Sequence, residues 1–424
     1  MKIMIFSNSE WDDTNAAGNT LSNFFNKKNW AEDDFYNIYI RGGKPNNNVC
    51  KNYYQLLLSD MIKNHFRKEK IGNFFIYDPK EDKEQAVNNE RKIIDFIHNH
   101  SLNFTYLLAD HIYRKRKWMN KKFKKYINDV NPDIFYAHVN NFSILAPIIE
   151  YVKNNTKAKI VVLLTDDLYN DIDNKSILRR KKMKNDFKNI INMSDKIYAI
   201  SDELRKEYSI IFNKKIDILR KGCVFEYPVK KHVNEIIKFV YAGNLYYGRD
   251  DLLSKVAHAI EKSNSKNKRK ALLEIYTGAT ITEELNKKLN IKDCSIIMGK
   301  KNYDEIKKIM NDADYNLQVE SFEQKQIDYV KYSFSTKIID CLQSGSAAIA
   351  IGPNNISSIK YMKQIPGVFV IDDVNKIDEK IQELINNNQI IKNSEMIRRY
   401  ALVHHDVNKN QKKLKNDFLK IIKE

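Results

Sequence analysis

The sequence is short of the residues that punctuate and cross-link a chain. Among 424 residues there are only 12 glycines, 7 prolines and 4 cysteines, where an average protein carries about 7% glycine. Cys50, Cys223, Cys294 and Cys341 lie far apart with no CxxC pair. That spacing argues against a zinc ribbon or a disulfide framework and predicts reduced thiols in a cytoplasmic protein. The longest apolar runs, such as Ile160 to Leu164 and Ala347 to Ile351, fall far short of the roughly 18 residues a membrane span needs. Met1 to Ser7 is too short for the apolar part of a secretory signal and reads as a first strand. No GxGxxG spacing follows that strand, which leaves dinucleotide-dependent hydride transfer without support. An RNP-like aromatic motif and a helix-turn-helix pattern are also missing, so nucleic acid is not expected as a partner.

What is present suits a globular protein of two domains. Hydrophobic residues make up 42% and charged residues 30%, enough apolar surface for a packed core. Lys and Arg number 72 against 54 Asp and Glu, a formal charge of +18. An excess of that size favours an anionic partner, whether a nucleic acid, an anionic membrane surface or a phosphorylated substrate, and charge alone does not choose among them. The basic stretch His111 to Lys125, with Trp118 and Phe123 among its cations, is the candidate contact because it pairs charge with aromatics suited to an interface.

Because glycine is scarce, its positions are informative. Gly43, Gly243, Gly278, Gly299 and Gly352 each follow a short β-rich run, where a missing side chain lets backbone approach closely. Further apolar runs fall at Lys2 to Phe6, Phe74 to Tyr77, Asp133 to Ala137, Ile160 to Leu164, Lys196 to Ile200, Asp314 to Val319 and Val368 to Ile371. Charged segments of helical period separate them, a pattern that predicts an α/β protein with parallel sheets covered on both faces. The basic stretch from Cys50 to Asp129 reads as helix-rich and carries no recognisable chemistry. The strand series restarts at Ile237 after a polar stretch, which places a boundary there. A lysine-rich last helix, Gln411 to Lys423, carries Leu414, Phe418 and Ile421 at helical spacing and needs a surface to cover.

Three segments carry candidate chemistry. In Ser335-Thr336-Lys337 to Gly345, Ser335 or Thr336 reads as an N-cap, Lys337 lies in the first turn and Gly345 ends the helix. A helix N-terminus with an added cation suits a diphosphate, and Asp340 is placed to reach a sugar hydroxyl. The alternative is an ordinary capped helix with a local Lys337–Asp340 pair. In Gly243-Asn244-Leu245-Tyr246-Tyr247-Gly248-Arg249, the glycines admit an anion and Arg249 can bind phosphate through two bonds; a tight turn with a surface Arg is the other reading. The polar exit of the first strand runs to Gly18, with a helix expected from Asn19 or Thr20, so that the Gly18 loop lies at the ligand edge of the sheet. His138, Asp166 and Asp167 also follow strands. No His, Asp and Glu cluster has ligand spacing, so no metal or other cofactor is expected.

Together these residues resemble a GT-B glycosyltransferase of the retaining, nucleotide-sugar-dependent, GT4-like (group 1) family, similar to enzymes of capsular and other surface polysaccharide synthesis. The likeness rests on Asn15 to Thr20, Asn131 to His138, Ser194 to Ser201, Tyr241 to Arg249 and Ser335 to Pro353. It implies two Rossmann-like domains facing a cleft. The acceptor domain would span 1–225 plus a last helix, about 404–424, crossing back to it; the donor domain would span 236–395. By position, the exposed cations Arg249 and Lys337 would hold the donor diphosphate and stabilise the leaving nucleotide. Gly243, Asn244, Ser335 and Thr336 would line the nucleotide site, Asp340 would bind the ribose, and His138 and Gly18 would lie near the reacting sugar. The implied partners are a nucleotide-sugar and a glycan or lipid-linked acceptor. Tyr332 stands where the family's EX7E motif has its first glutamate, with Glu320 and Glu323 the nearest upstream glutamates. A sugar-nucleotide epimerase, or a non-catalytic glycosyltransferase-like subunit, are the alternatives on the same fold.

Overall fold

A computed structural model describes residues 1–67, 71–78, 103–171 and 177–424; the basic stretch Cys50 to Asp129 lies partly outside them. Among these residues the chain divides into two compact units, Met1–Leu219 with Asn408–Glu424, and Arg220–Val407.

The first unit is built on strands β1 (Lys2–Ser7), β2 (Asp34–Tyr39), β3 (Asn52–Gln55), β4 (Asn73–Ile76), β5 (Ile134–His138), β6 (Lys159–Leu164), β7 (Lys196–Ala199) and β8 (Asp217–Ile218), in the order β4-β3-β2-β1-β5-β6-β7-β8. Among the described strands of this unit only β4 pairs antiparallel, against β3. The central strands are continuous apolar runs because helices cover both faces: Ile3, Met4, Ile5 and Phe6 are all buried. Strands β3 and β8 have no counterpart in the sequence reading. One is a four-residue run with polar ends and the other has two residues, too short for a periodic signal.

The C-terminal helix Val407–Lys423 belongs largely to this unit. Its Leu414, Phe418 and Ile421 join the core of Trp11, Phe25, Trp30 and Phe35, with the Phe418 ring 5.7 Å from Trp30. Tyr198 donates to Asp417 at 2.7 Å, and Lys415 pairs with Asp33 at 2.7 Å. The expected return of the last helix is therefore present, with its amphipathic stripe as the cause. Trp118 and Phe123 are also core residues, 1% and 0% exposed. The Trp118 indole donates to Tyr113 O at 2.8 Å, and Phe123 packs on Tyr54. They are not the interfacial aromatics expected from the basic stretch, because that segment's apolar positions face inward.

The second unit carries a parallel sheet of β9 (Ile237–Ala242), β10 (Ala271–Tyr276), β11 (Ser295–Gly299), β12 (Tyr315–Val319), β13 (Ala347–Ile351) and β14 (Phe369–Ile371), ordered β11-β10-β9-β12-β13-β14. The last two helices, Ile390–His404 and Val407–Lys423, are separated by a short break. The break follows from pairing: Cys223 N–H binds His405 O, and Val407 N–H binds Cys223 O. A side chain at Gly222 would meet Val407 Cα at 2.4 Å, so glycine is what lets these segments lie together. All four cysteines are buried free thiols; burial pushes Cys50 and Cys341 up to about 12 and keeps them protonated. Among the described residues, no helix is long and apolar enough to cross a membrane.

Candidate active site

Ligands of open parallel sheets sit beyond the carboxyl ends of the strands, where the strand order reverses. In the second unit that point lies between β9 and β12. Strand β9 leaves through Gly243 to Gly248 into the helix Arg249–Lys266, and β12 hands on to Glu320.

Arg249 is buried, 6% exposed, and so differs from the surface cation expected from the sequence. Its Nη2 lies 3.0 Å from Glu320 Oε2. Nη1 donates to Asn244 Oδ1 at 2.6 Å, and Nε to Val319 O at 3.3 Å. Glu320 also accepts from Gln318 Nε2 at 2.7 Å. The carboxylate compensates the buried guanidinium and fixes its plane, a requirement for burying either charge.

Lys337 opens the helix Lys337–Ser344 and reaches the same place. Its Cε stands 2.0 Å from where a Cβ on Gly243 would be, so that glycine makes room for the lysine. Nζ lies 5.6 Å from the centre of the Tyr241 ring. Burial, aided by the Arg249 charge and opposed by Glu320, pushes the ammonium down to about 8. Two cations beside one carboxylate leave an excess of positive charge, which a ligand anion can neutralise.

The expected cap of this helix is absent. Thr336 has helical angles (φ −62, ψ −22) and makes no side-chain bond to the helix, while the Ser335 N–H is bound by Ser358 Oγ at 3.0 Å. Ser357 and Ser358 donate to the carbonyls of Lys331 and Ser333 and so hold the lead-in, a task the sequence had suggested for the cap itself. Gly345 closes the helix at φ 87, as expected. Asp340 accepts from the Tyr303 hydroxyl at 3.0 Å and Gln343 Nε2 at 3.3 Å; these, not Lys337, are its partners. Burial raises Asp340, with Lys221 as the main opposing charge.

In the first unit the reversal falls between β1 and β5. The helix there starts at Ala16, earlier than expected, because the Asn15 side chain caps it by accepting from Gly18 N–H at 2.8 Å. Gly18 therefore lies in the first helical turn. A Cβ on it would strike Asp12 O at 2.1 Å, which makes close backbone approach the local reason for glycine. His138 ends β5, with Nε2 3.2 Å from the Tyr136 hydroxyl. Burial pushes it down to about 4, so its imidazole is neutral near pH 7. Asp167 accepts from Tyr208 and Asn170, while Asp166 accepts from Thr165 at 3.0 Å.

Comparison with solved structures identifies the architecture. An α,α-trehalose-phosphate synthase (UDP-forming) from Burkholderia vietnamiensis is 8% identical, with 99% of this chain and 100% of that one covered at a TM-score of 0.61. The chain has the GT-B fold. Two further solved structures agree with that fold. One is the E. coli trehalose-6-phosphate protein bound with UDP-2-fluoro glucose, at 9% identity, 99% coverage of both chains and TM-score 0.58. The other is an S. aureus TarM mutant in complex with fondaparinux, α-GlcNAc-glycerol and UDP, at 11% identity, 98% and 99% coverage and TM-score 0.60. No family model and no curated protein matches the sequence.

Of the residues read from the sequence, the GT-B framework brings Gly243, Asn244, Arg249 and Lys337 together in the second unit. Asp340 lies one helical turn beyond Lys337. Glu320, named in the sequence only as an upstream carboxylate, turns out to be the partner of Arg249; the one available signal is that it is the first charge after the run Tyr315 to Val319. Glu323 is exposed and makes no cap bond, and Tyr332 carries Lys331 Nζ at 4.8 Å from its ring centre. Among the described residues, no group of three or more His, Cys, Asp or Glu could hold a metal ion.

Proposed function

We propose that the protein is a glycosyltransferase that moves a sugar from a nucleotide-sugar to a glycan or lipid-linked acceptor. The carrying observation is the Arg249–Lys337 pair beside Glu320 at the strand-order reversal of the second unit, a preorganised positive charge of the kind a leaving nucleoside diphosphate requires. Arg249 and Lys337 neutralise the diphosphate as the glycosidic bond breaks. Asp340, held by Tyr303 and Gln343, accepts from a ribose hydroxyl. By the sequence resemblance, His138, neutral at pH 7, is the hydrogen-bonding group for the reacting sugar, and Gly18 belongs to the loop assigned to the same sugar. Positive side chains do the neutralising, so transfer proceeds without a metal. The retaining course and a role in surface polysaccharide synthesis follow from the sequence resemblance. A cytoplasmic location with reversible attachment to an anionic inner membrane face is consistent with the +18 charge.

The reading is tested by a thermal-shift panel of UDP, GDP and ADP with their sugars, followed by donor turnover with candidate acceptors. One nucleotide class should stabilise the wild type and lose that effect in Lys337→Ala. Failure of every nucleotide to shift the melting point sinks the reading.

A further inference from the structure

Beside the cationic pair, the second unit presents an aromatic surface that the reading above leaves unused. The loop from β9 is pinned at buried Leu245 and again at Gly248, where a Cβ would stand 2.8 Å from Ser321 Oγ. Between these anchors Tyr246 and Tyr247 project outward, 67% and 45% exposed. Tyr247 holds φ 63, a left-handed conformation that is uncommon outside glycine and carries strain. Facing it is Tyr329, 58% exposed, on the helix Gln324–Val330, whose Ile327 and Val330 turn inward. The Tyr247 and Tyr329 ring centres are 6.2 Å apart at a 40° tilt. The Arg249 guanidinium lies 5.5 Å from the Tyr247 ring, which ties the pair to the diphosphate site.

We infer that Tyr247 and Tyr329 form a stacking platform for the pyranose ring carried on the diphosphate, opposite the ribose end marked by Asp340. The inference rests on the assignment of Arg249 and Lys337 to a diphosphate. The contacts run in sequence: Asp340 shares a helix with Lys337, Lys337 crosses Gly243, Asn244 binds Arg249, and Arg249 underlies Tyr247. A nucleotide-sugar has the same order, with a polar ribose on one side of the diphosphate and a sugar ring on the other. The C–H face of a pyranose is apolar and slightly positive, so it packs against the negative face of an aromatic ring. Both rings keep about half of their surface open to solvent beside the buried cation, so they remain accessible to a ligand.

Calorimetric titration of the full chain with UDP, UDP-glucose, UDP-GlcNAc, GDP, GDP-mannose, ADP and ADP-glucose tests the platform. For the nucleotide class that binds, the ratio of the Kd of the sugar nucleotide to that of the bare diphosphate should rise at least fivefold in Tyr247→Ala and in Tyr329→Ala. The Kd of the bare diphosphate should stay within twofold in both, which also reports that the loop is intact, and Tyr247→Phe should keep the wild-type ratio. An unchanged ratio with intact diphosphate binding overturns the platform alone. A parallel loss for diphosphate and sugar nucleotide shows the rings stacking on the base, and also overturns it. If no nucleotide binds the wild type, the glycosyltransferase reading fails and the platform with it.

Discussion

At the scale of the residue, the site depends on two cations, Arg249 buried and Lys337 half-buried, that are supported differently. Lys337 has no carboxylate bonded to it, so Lys337→Ala removes charge without stranding a partner. Turnover should fall roughly a hundredfold, about 3 kcal/mol of transition-state stabilisation, with an unchanged melting point. Arg249→Ala is a different substitution because it leaves Glu320 buried and unpaired, which costs about 3–5 kcal/mol in folding. It should lower both activity and the urea midpoint. Equal stability of Arg249→Ala and wild type would mean that the Arg249–Glu320 pair is not the buried unit described. Lys337 also sets a pH dependence. Its ammonium, pushed down to about 8, is charged below that pH and discharges as pH rises through it. The kcat/KM for donor should therefore fall above about pH 8, and Lys337→Arg should flatten that limb, since guanidinium does not titrate there. A pH–rate profile on both proteins decides this.

Elements, not single side chains, explain where the last helix goes. Phe418 is fully buried between Phe25 and Trp30, and Phe418→Ala should cost about 3–5 kcal/mol. Urea unfolding followed by tryptophan fluorescence would read that loss, because Trp30 is the neighbour. A smaller effect would show that the helix Val407–Lys423 adds little to the first unit. The crossing segment at Gly222 is similarly constrained: Gly222→Val drives a branched side chain into the Val407 backbone and should destabilise the break between the last two helices.

Charge is a property of the whole molecule, and the structure changes how its +18 is to be understood. Within the basic stretch, Arg114 pairs with Asp186 and Arg116 with Glu150, while Trp118 and Phe123 are core residues. The proposed membrane attachment must then be electrostatic and spread over the surface, not anchored by those rings. Flotation with liposomes should show recovery that requires anionic lipid and falls steeply with salt. Equal recovery on neutral vesicles would contradict it. Activity should survive EDTA; loss on chelation that Mn²⁺ or Mg²⁺ restores would assign a metal role to carboxylates such as Asp166.

The sequence alone determined the α/β class, most strand positions and the residues gathered at the strand-order reversal of the second unit, because apolar runs and glycine placement are local signals. Its glycines at 243 and 345 already marked a close approach and a helix end. Only the tertiary structure decided that Glu320 faces Arg249, 71 positions away, that Ser357 and Ser358 hold the segment leading into the helix Lys337–Ser344, and that β3 and β8 join the first sheet. The same holds for Trp118 and Phe123, whose basic neighbours suggest a surface while the packing of the first unit draws both rings inside. Each of these rests on contacts between segments distant in sequence, and neither periodicity nor composition carries that information.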